Sequence, residues 1–315
     1  IVFLNCNVTP VQQKNLEKAW NVKILDRTSL ILEIFSNRAA TREGVLQVEM
    51  AALSYQRTRL VRAWTHLERQ RGGLGFVGGP GETQIESDKR AIDSQLKNLE
   101  RQLRKVVKTR ELHRKRRSKT STPIISLVGY TNAGKSTLFN KLTHEEVLCK
   151  DMLFATLDPT VRESVLRSGL SVIVSDTVGF ISDLPTELIA AFRSTLEEVL
   201  TSDVILHVRD ISHPNTDSHC EDVLEILQRI GLDEKIPVLE VWNKIDLHPE
   251  NYKLKQSGSI LDKRNIYPIC ASSGFGLDNL TNGIVNIMLA RSSREVRTIP
   301  AKDGKKRAWL YRNGV

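Results

Sequence analysis

Cysteine is scarce in this chain of 315 residues: Cys6, Cys149, Cys220 and Cys270 are scattered and form no C-x-x-C pair. That pattern excludes a disulfide scaffold, argues against a structural zinc site, and reads as reduced thiols in a cytosol-like compartment. Long apolar runs are missing too. Stretches such as Ile124 to Val128 are far too short to cross a bilayer. Acidic residues are outnumbered, 37 against 46 Lys and Arg, which leaves a net charge of +9. The excess favours a polyanionic partner, the bland alternative being a basic but solvated surface. No methionine or signal-like segment opens the chain. Ile1 to Leu4 is already strand-like, so the sequence is expected to be a fragment whose targeting information could lie elsewhere. What remains, 40% apolar and 26% charged residues, is an ordinary soluble composition, with length for two or three domains and one large core.

Four regions separate by pattern. Residues 1–40 read as strand, helix, strand, helix, with Pro10 opening a helix to about Trp20, a short strand at Val22 to Leu25, and a helix from Thr28 to Ala39. This resembles the end of an α/β layer. In residues 41–121, Leu46, Met50, Leu53, Leu60, Trp64 and Leu67 fall on alternating four- and three-residue steps, interrupted by Arg57. Ile92, Leu96, Leu99, Leu103 and Val106 repeat the steps. Two such seams joined by one loop predict an antiparallel helical hairpin, each arm on the order of 45 Å long. The loop, Arg71 to Gly81, holds six glycines and Phe76, and is longer than a hairpin turn requires. It reads either as a flexible linker or as a tip that inserts into another surface; the exposed aromatic favours insertion. Residues 101–119 then carry ten Lys or Arg against Glu111. A charge run is usually a solvated helix face, but beside such a loop it favours contact with a phosphate backbone.

From 122 to 292, apolar runs alternate with amphipathic helices: Ile124 to Val128, Val172 to Ser175, Val204 to Val208, Val238 to Val241 and Tyr267 to Ile269. The pattern predicts an α/β domain with a doubly wound, mostly parallel sheet. Residues 293–315 are basic, with a strand-like patch at Ala308 to Tyr311.

This domain carries the chemistry. Gly129, Tyr130, Thr131, Asn132, Ala133, Gly134, Lys135 and Ser136 spell G-x-x-x-x-G-K-S between a strand and a helix, the phosphate-binding loop. Its backbone N–H groups wrap phosphates, Lys135 reaches the β- and γ-phosphates, and Ser136 offers a hydroxyl to Mg²⁺. Asn243, Lys244, Ile245 and Asp246 select the base: a carboxylate at Asp246, taken as a buried acceptor, pairs with N1–H and the 2-amino group of guanine and has no such partner in adenine. In Cys270, Ala271 and Ser272 a backbone N–H can hold the guanine O6. Between these lie two candidate switches. Phe154, Ala155, Thr156, Leu157 and Asp158 offer Thr156 as the second Mg²⁺ hydroxyl, with Thr160 as a rival. In Asp176, Thr177, Val178 and Gly179, Asp176 would reach Mg²⁺ through water and the Gly179 N–H would sense the γ-phosphate. Lys135, Thr156, Gly179 and Asn132 are therefore the candidate catalytic residues. Phe180 follows where Ras-like GTPases place a water-orienting Gln. Slow intrinsic hydrolysis, completed by a partner, is expected. In related GTPases an Asn at the position of Asn132 helps hold K⁺; a loop-shaping role is the alternative.

Together these residues closely resemble the HflX family within the Obg–HflX group of P-loop GTPases. The resemblance covers nearly the whole chain and rests on Asp26-Arg-Thr with Ile34-Phe, Thr41-Arg-Glu-Gly44, Gly78-Gly-Pro-Gly-Glu-Thr-Gln84 and the nucleotide motifs above. It implies a cytoplasmic (or organelle-matrix) GTPase, monomeric, that binds the large ribosomal subunit, places its hairpin on ribosomal RNA and dissociates ribosomes, especially after stress. A subunit-assembly GTPase or an RNA-remodelling NTPase are the competing readings. Cys270-Ala271-Ser272 departs from the family's usual Ser-Ala-Lys.

Overall fold

The computed structural model describes residues 1–70, 84–117, 122–144, 154, 156–157, 159–182, 199–247, 265–291, 304–305 and 308–309. The chain forms two compact units, one holding Ile1–Thr109 and the other Arg110–Asp183 and Ser194–Val315.

In the first unit, strands β1 (Val2–Leu4) and β2 (Ile24–Asp26) pair in parallel, joined by helix α1 (Pro10–Trp20). Thr9 starts α1 with a reciprocal capping box to Gln12, and Pro10 sits where a missing N–H costs nothing. The second strand lies one to two residues later than the apolar pattern suggested, because Asp26 ends it and caps α2 (Arg27–Arg38), accepting from the Ser29 N–H at 2.9 Å. Ile31, Leu32 and Phe35 of α2 are buried, and α3 (Arg42–Gln70) packs on α1 and α2. Asp26 is only 4% exposed. It accepts from the Tyr55 hydroxyl at 2.5 Å and Arg59 Nη1 at 3.1 Å, both on α3. Burial pushes the Asp26 carboxyl up, but these donors and Ser29 win and hold it below the usual carboxylate range.

Helix α4 (Gln84–Arg117) is the second long helix. Arg57, the polar interruption of the first seam, finds Asp93 of α4 at 2.7 Å. The glycine-rich tip and residues 82–83 lie outside the described residues. Of the basic run, the side chains of Arg101, Arg104, Lys105 and Lys108 are described, and all four are exposed.

The second unit is built on a six-stranded sheet in the order β4-β5-β3-β6-β7-β8. Its members are β3 (Ile124–Val128), β4 (Thr160–Val165), β5 (Ser171–Asp176), β6 (Val204–Asp210), β7 (Val238–Asn243) and β8 (Ile266–Pro268). All pairings are parallel except β4 with β5. The antiparallel edge strand β4 was not expected; half of its side chains face solvent, so it carries little apolar signal. Helix α5 (Lys135–Thr143) contributes Leu138, Phe139 and Leu142 to the core, and α7 (Leu277–Arg291) contributes Leu280, Ile284 and Met288. Helix α6 (Thr216–Arg229) packs on β6 and buries Val223, Ile226 and Leu227. Ala308 and Trp309, expected in a strand-like patch, are helical instead. No helix among the described residues is long and apolar enough to cross a membrane.

Candidate nucleotide site

The expected nucleotide motifs gather at the carboxyl ends of the strands of this one sheet, where open α/β sheets bind ligands. Gly129 follows β3, Asp176 closes β5, Asn243 closes β7, and Cys270 lies just beyond β8. Helix α5 begins at Lys135 with Gly134 as its cap, at φ +92. A Cβ there would lie 2.1 Å from Asn243 Nδ2, so only glycine fits. Thr131 and Ala133 are buried, Tyr130 is half-buried, and Asn132 is exposed at φ +61, a left-handed conformation that Asn tolerates.

Lys135 is buried and donates from Nζ to the carbonyls of Gly129 at 3.1 Å and Tyr130 at 2.8 Å. Burial lowers its ammonium pKa to about 8, against the pull of Asp176. Burial likewise raises the Asp176 carboxyl, opposed by Lys135, Ser136 and Thr156. Both shifts have one leading cause: burial that holds the two charges out of water.

Three oxygens converge beside them. Ser136 Oγ and Thr156 Oγ1 lie 2.9 Å apart, and both donate to Asp176 Oδ2, at 2.7 and 2.9 Å. The other carboxylate oxygen, Asp176 Oδ1, is buried with no partner. A set of hard oxygens around a buried, half-satisfied carboxylate fits Mg²⁺. Thr160, the rival to Thr156, is held in the β4–β5 ladder opposite Asp176. Phe154 and Leu157 are buried; Ala155 and Asp158 lie outside the described residues.

Gly179 sits against the loop. An added Cβ would come within 2.9 Å of Thr131 Cα and 3.1 Å of Lys135 Nζ. Thr177 anchors this segment through its hydroxyl to the Leu127 carbonyl at 2.7 Å. Val178 and Phe180 are buried, Phe180 almost completely, so the residue in the water-orienting position belongs to the core.

At the base end, Asn243 ties two segments together: Nδ2 donates to the Ala133 carbonyl at 2.8 Å, and Oδ1 accepts from the Ala271 N–H at 3.0 Å. Lys244 pairs with Asp210 at 2.8 Å, and Ile245 is buried. Asp246, expected as a buried acceptor, is exposed, since it stands on a single 3₁₀ turn (Ile245–Leu247) beyond the carboxyl end of β7. Its selectivity would therefore depend on a base covering it. Of the N–H groups of Cys270, Ala271 and Ser272, the first donates to Phe275 and the second to Asn243, which leaves Ser272 among the described contacts. Cys270 Sγ and Ser272 Oγ are 3.0 Å apart. One cluster had no sequence signal: the Tyr130 side chain meets Ser182 and His219, and Ser182 in turn meets Asp222, three residues that fall in no motif.

With this geometry in place, three family models match in succession: GTP-binding GTPase N-terminal over residues 1–36, GTP-binding GTPase Middle Region over 38–117, and 50S ribosome-binding GTPase over 124–244. GTPase HflX of Magnetococcus marinus is 47% identical over 313 residues, 98% of this chain and 70% of that protein. The chain belongs to the HflX family of GTPases. GTPase HflX of Escherichia coli is 41% identical over 99% of this chain and 72% of its own length. A GTP-binding protein of Sulfolobus solfataricus, crystallised with GDP, shares the fold of this HflX chain: TM-score 0.53 and 24% identity, covering 92% of this chain and 81% of that one. GTP binding and GTP hydrolysis follow for this HflX-family enzyme.

Proposed function

We propose that the chain is a ribosome-associated GTPase: in the GTP state it docks the 41–121 hairpin on large-subunit RNA and dissociates ribosomes, and hydrolysis releases it. The observation that carries this reading is the exposed basic face of α4, where Arg101, Arg104, Lys105 and Lys108 are all open to solvent. The matching family description, 50S ribosome-binding GTPase, supports the partner.

In this reading the backbone of Gly129 to Ser136 cradles the phosphates, Lys135 neutralises the β- and γ-phosphates, and the Gly179 N–H senses the γ-phosphate. Ser136 and Thr156 would hold Mg²⁺, with Asp176 behind them; the ion, when bound, offsets phosphate charge. Asp246 reads guanine. Asn132 is a candidate for holding K⁺; its left-handed backbone equally supports a loop-shaping role. Phe180 cannot orient water, so the ribosome is expected to accelerate turnover.

The test is a sucrose gradient of ribosomes mixed with the protein and a non-hydrolysable GTP analogue. Free subunits with protein on the large one are expected. Equal binding with GTP, GDP and no nucleotide would overturn the switch, and intact ribosomes beside protein-bound precursor subunits would point to assembly instead.

A further inference from the structure

None of the roles above uses the side chain of Tyr130. Its backbone neighbourhood is zipped to the segment after Gly179: the Phe180 N–H donates to the Gly129 carbonyl at 3.1 Å, and the Thr131 N–H donates to the Phe180 carbonyl at 2.7 Å. The Tyr130 ring lies flat on His219 of α6, centroids 3.6 Å apart and planes 7° apart. Its hydroxyl accepts from the Ser182 N–H at 3.0 Å and lies 3.0 Å from Ser182 Oγ. Ser182 Oγ in turn donates to Asp222 Oδ2 of α6 at 2.5 Å.

These contacts fix the order of the protons. Ser182 gives its hydroxyl proton to Asp222, so Tyr130 donates to Ser182 Oγ while accepting from the Ser182 N–H. The chain between Thr131's bond to Phe180 and Tyr130's bond to Ser182 is thus pinned at two points two residues apart. Gly179 stands directly before the first, packed within reach of Thr131 and Lys135. A segment held in this way cannot swing about its first anchor alone.

We propose that Tyr130 is a positioning residue for GTP hydrolysis: through Ser182 and Asp222 its hydroxyl holds Gly179 over Lys135 and makes helix α6 part of the γ-phosphate sensor. The proposal rests on Gly179 as the γ-phosphate contact. It assigns α6, which carries no nucleotide motif, to the switching machinery, and it places the discrimination of GTP from GDP partly in a hydroxyl on the outer side of the phosphate loop.

The test compares Tyr130→Phe, Ser182→Ala and Gly179→Ala in the full chain. Affinities for GDP and for a non-hydrolysable GTP analogue are measured together with single-turnover hydrolysis of GTP. Tyr130→Phe keeps the ring on His219, so GDP affinity should stay within about two-fold, while analogue affinity and hydrolysis rate each fall about ten-fold, the worth of one net hydrogen bond. Ser182→Ala should move the same two quantities in the same direction. An unchanged ratio of analogue to GDP affinity in Tyr130→Phe, beside a collapsed ratio in Gly179→Ala, would overturn the latch alone. Equal weakening of both nucleotides would overturn it as well, by reducing Tyr130 to a structural role. An unchanged ratio in Gly179→Ala would remove the γ-phosphate reading beneath it.

Discussion

Strand β3 of the nucleotide unit has four consecutive buried residues, whereas no described side chain of α4, from Glu86 to Thr109, is buried at all. The first unit keeps its tight packing for the other end, where Asp26, Tyr55 and Arg59 join β2, α2 and α3. A GTPase must hold its phosphate seat to within tenths of an ångström, and only a sheet buried on both faces does that. A helix that is proposed to meet a polyanion needs solvated cations and a firm root. The two units are therefore expected to meet mutation differently: the nucleotide unit through chemistry, the first unit through its root and its charge.

The largest contrast should come from Lys135→Ala. Losing a buried cation at the phosphates is expected to lower GTP turnover by roughly 100-fold or more, leaving the circular dichroism of the helices intact. If turnover survived, the phosphate loop would not be the catalytic seat. Asp26→Ala should do the reverse. It leaves Tyr55 and Arg59 without their buried acceptor and removes the cap of α2, a loss of about 3 kcal/mol. Local opening of residues 1–60 should then appear in hydrogen exchange while GTP turnover stays near wild type; parallel loss of both would mean that the units are not separable. Asp26 is held below the usual carboxylate range, so the stability it contributes is present above the ordinary pKa of about 4 and disappears as pH falls through the lowered value.

Smaller effects sharpen the comparison. Changing Arg101, Arg104, Lys105 and Lys108 together to Gln should weaken RNA binding and flatten the slope of log affinity against log salt by up to about four, with basal hydrolysis untouched. An unchanged slope would make α4 a merely solvated face. The smallest effect concerns His207 of β6, buried beside a cavity of about 180 Å³ next to the phosphate loop. Burial lowers its pKa to about 4. The unfolded chain takes up a proton near pH 6.5 and the folded chain only near 4, so stability falls as pH drops between them. Melting temperatures measured at pH 7 and 5 should therefore differ less in His207→Phe than in the wild type.

The candidate nucleotide site was legible where its parts are short and contiguous. Gly129 to Ser136, Asp176 to Gly179 and Asn243 to Asp246 each sit at a strand end that an apolar run announces. The two long helices α3 and α4 were legible for a similar reason: apolar residues on four- and three-residue steps share one face of a helix. Strand β4 was not, because Thr160–Val165 is an edge strand with half of its side chains in solvent. Nor was the exposure of Asp246, which depends on how a single 3₁₀ turn leaves the carboxyl end of β7.

By itself the sequence determined the guanine nucleotide, the candidate phosphate loop and the basic helix, because each is written in neighbouring residues whose spacing is set by backbone geometry. The tertiary structure decided what distant residues do together. It chose Thr156 over Thr160 beside Ser136, gave Arg57 its partner Asp93, and drew Tyr130, Ser182, His219 and Asp222 into one cluster. No spacing encodes such contacts. They exist only once strands and helices far apart in the sequence are brought side by side.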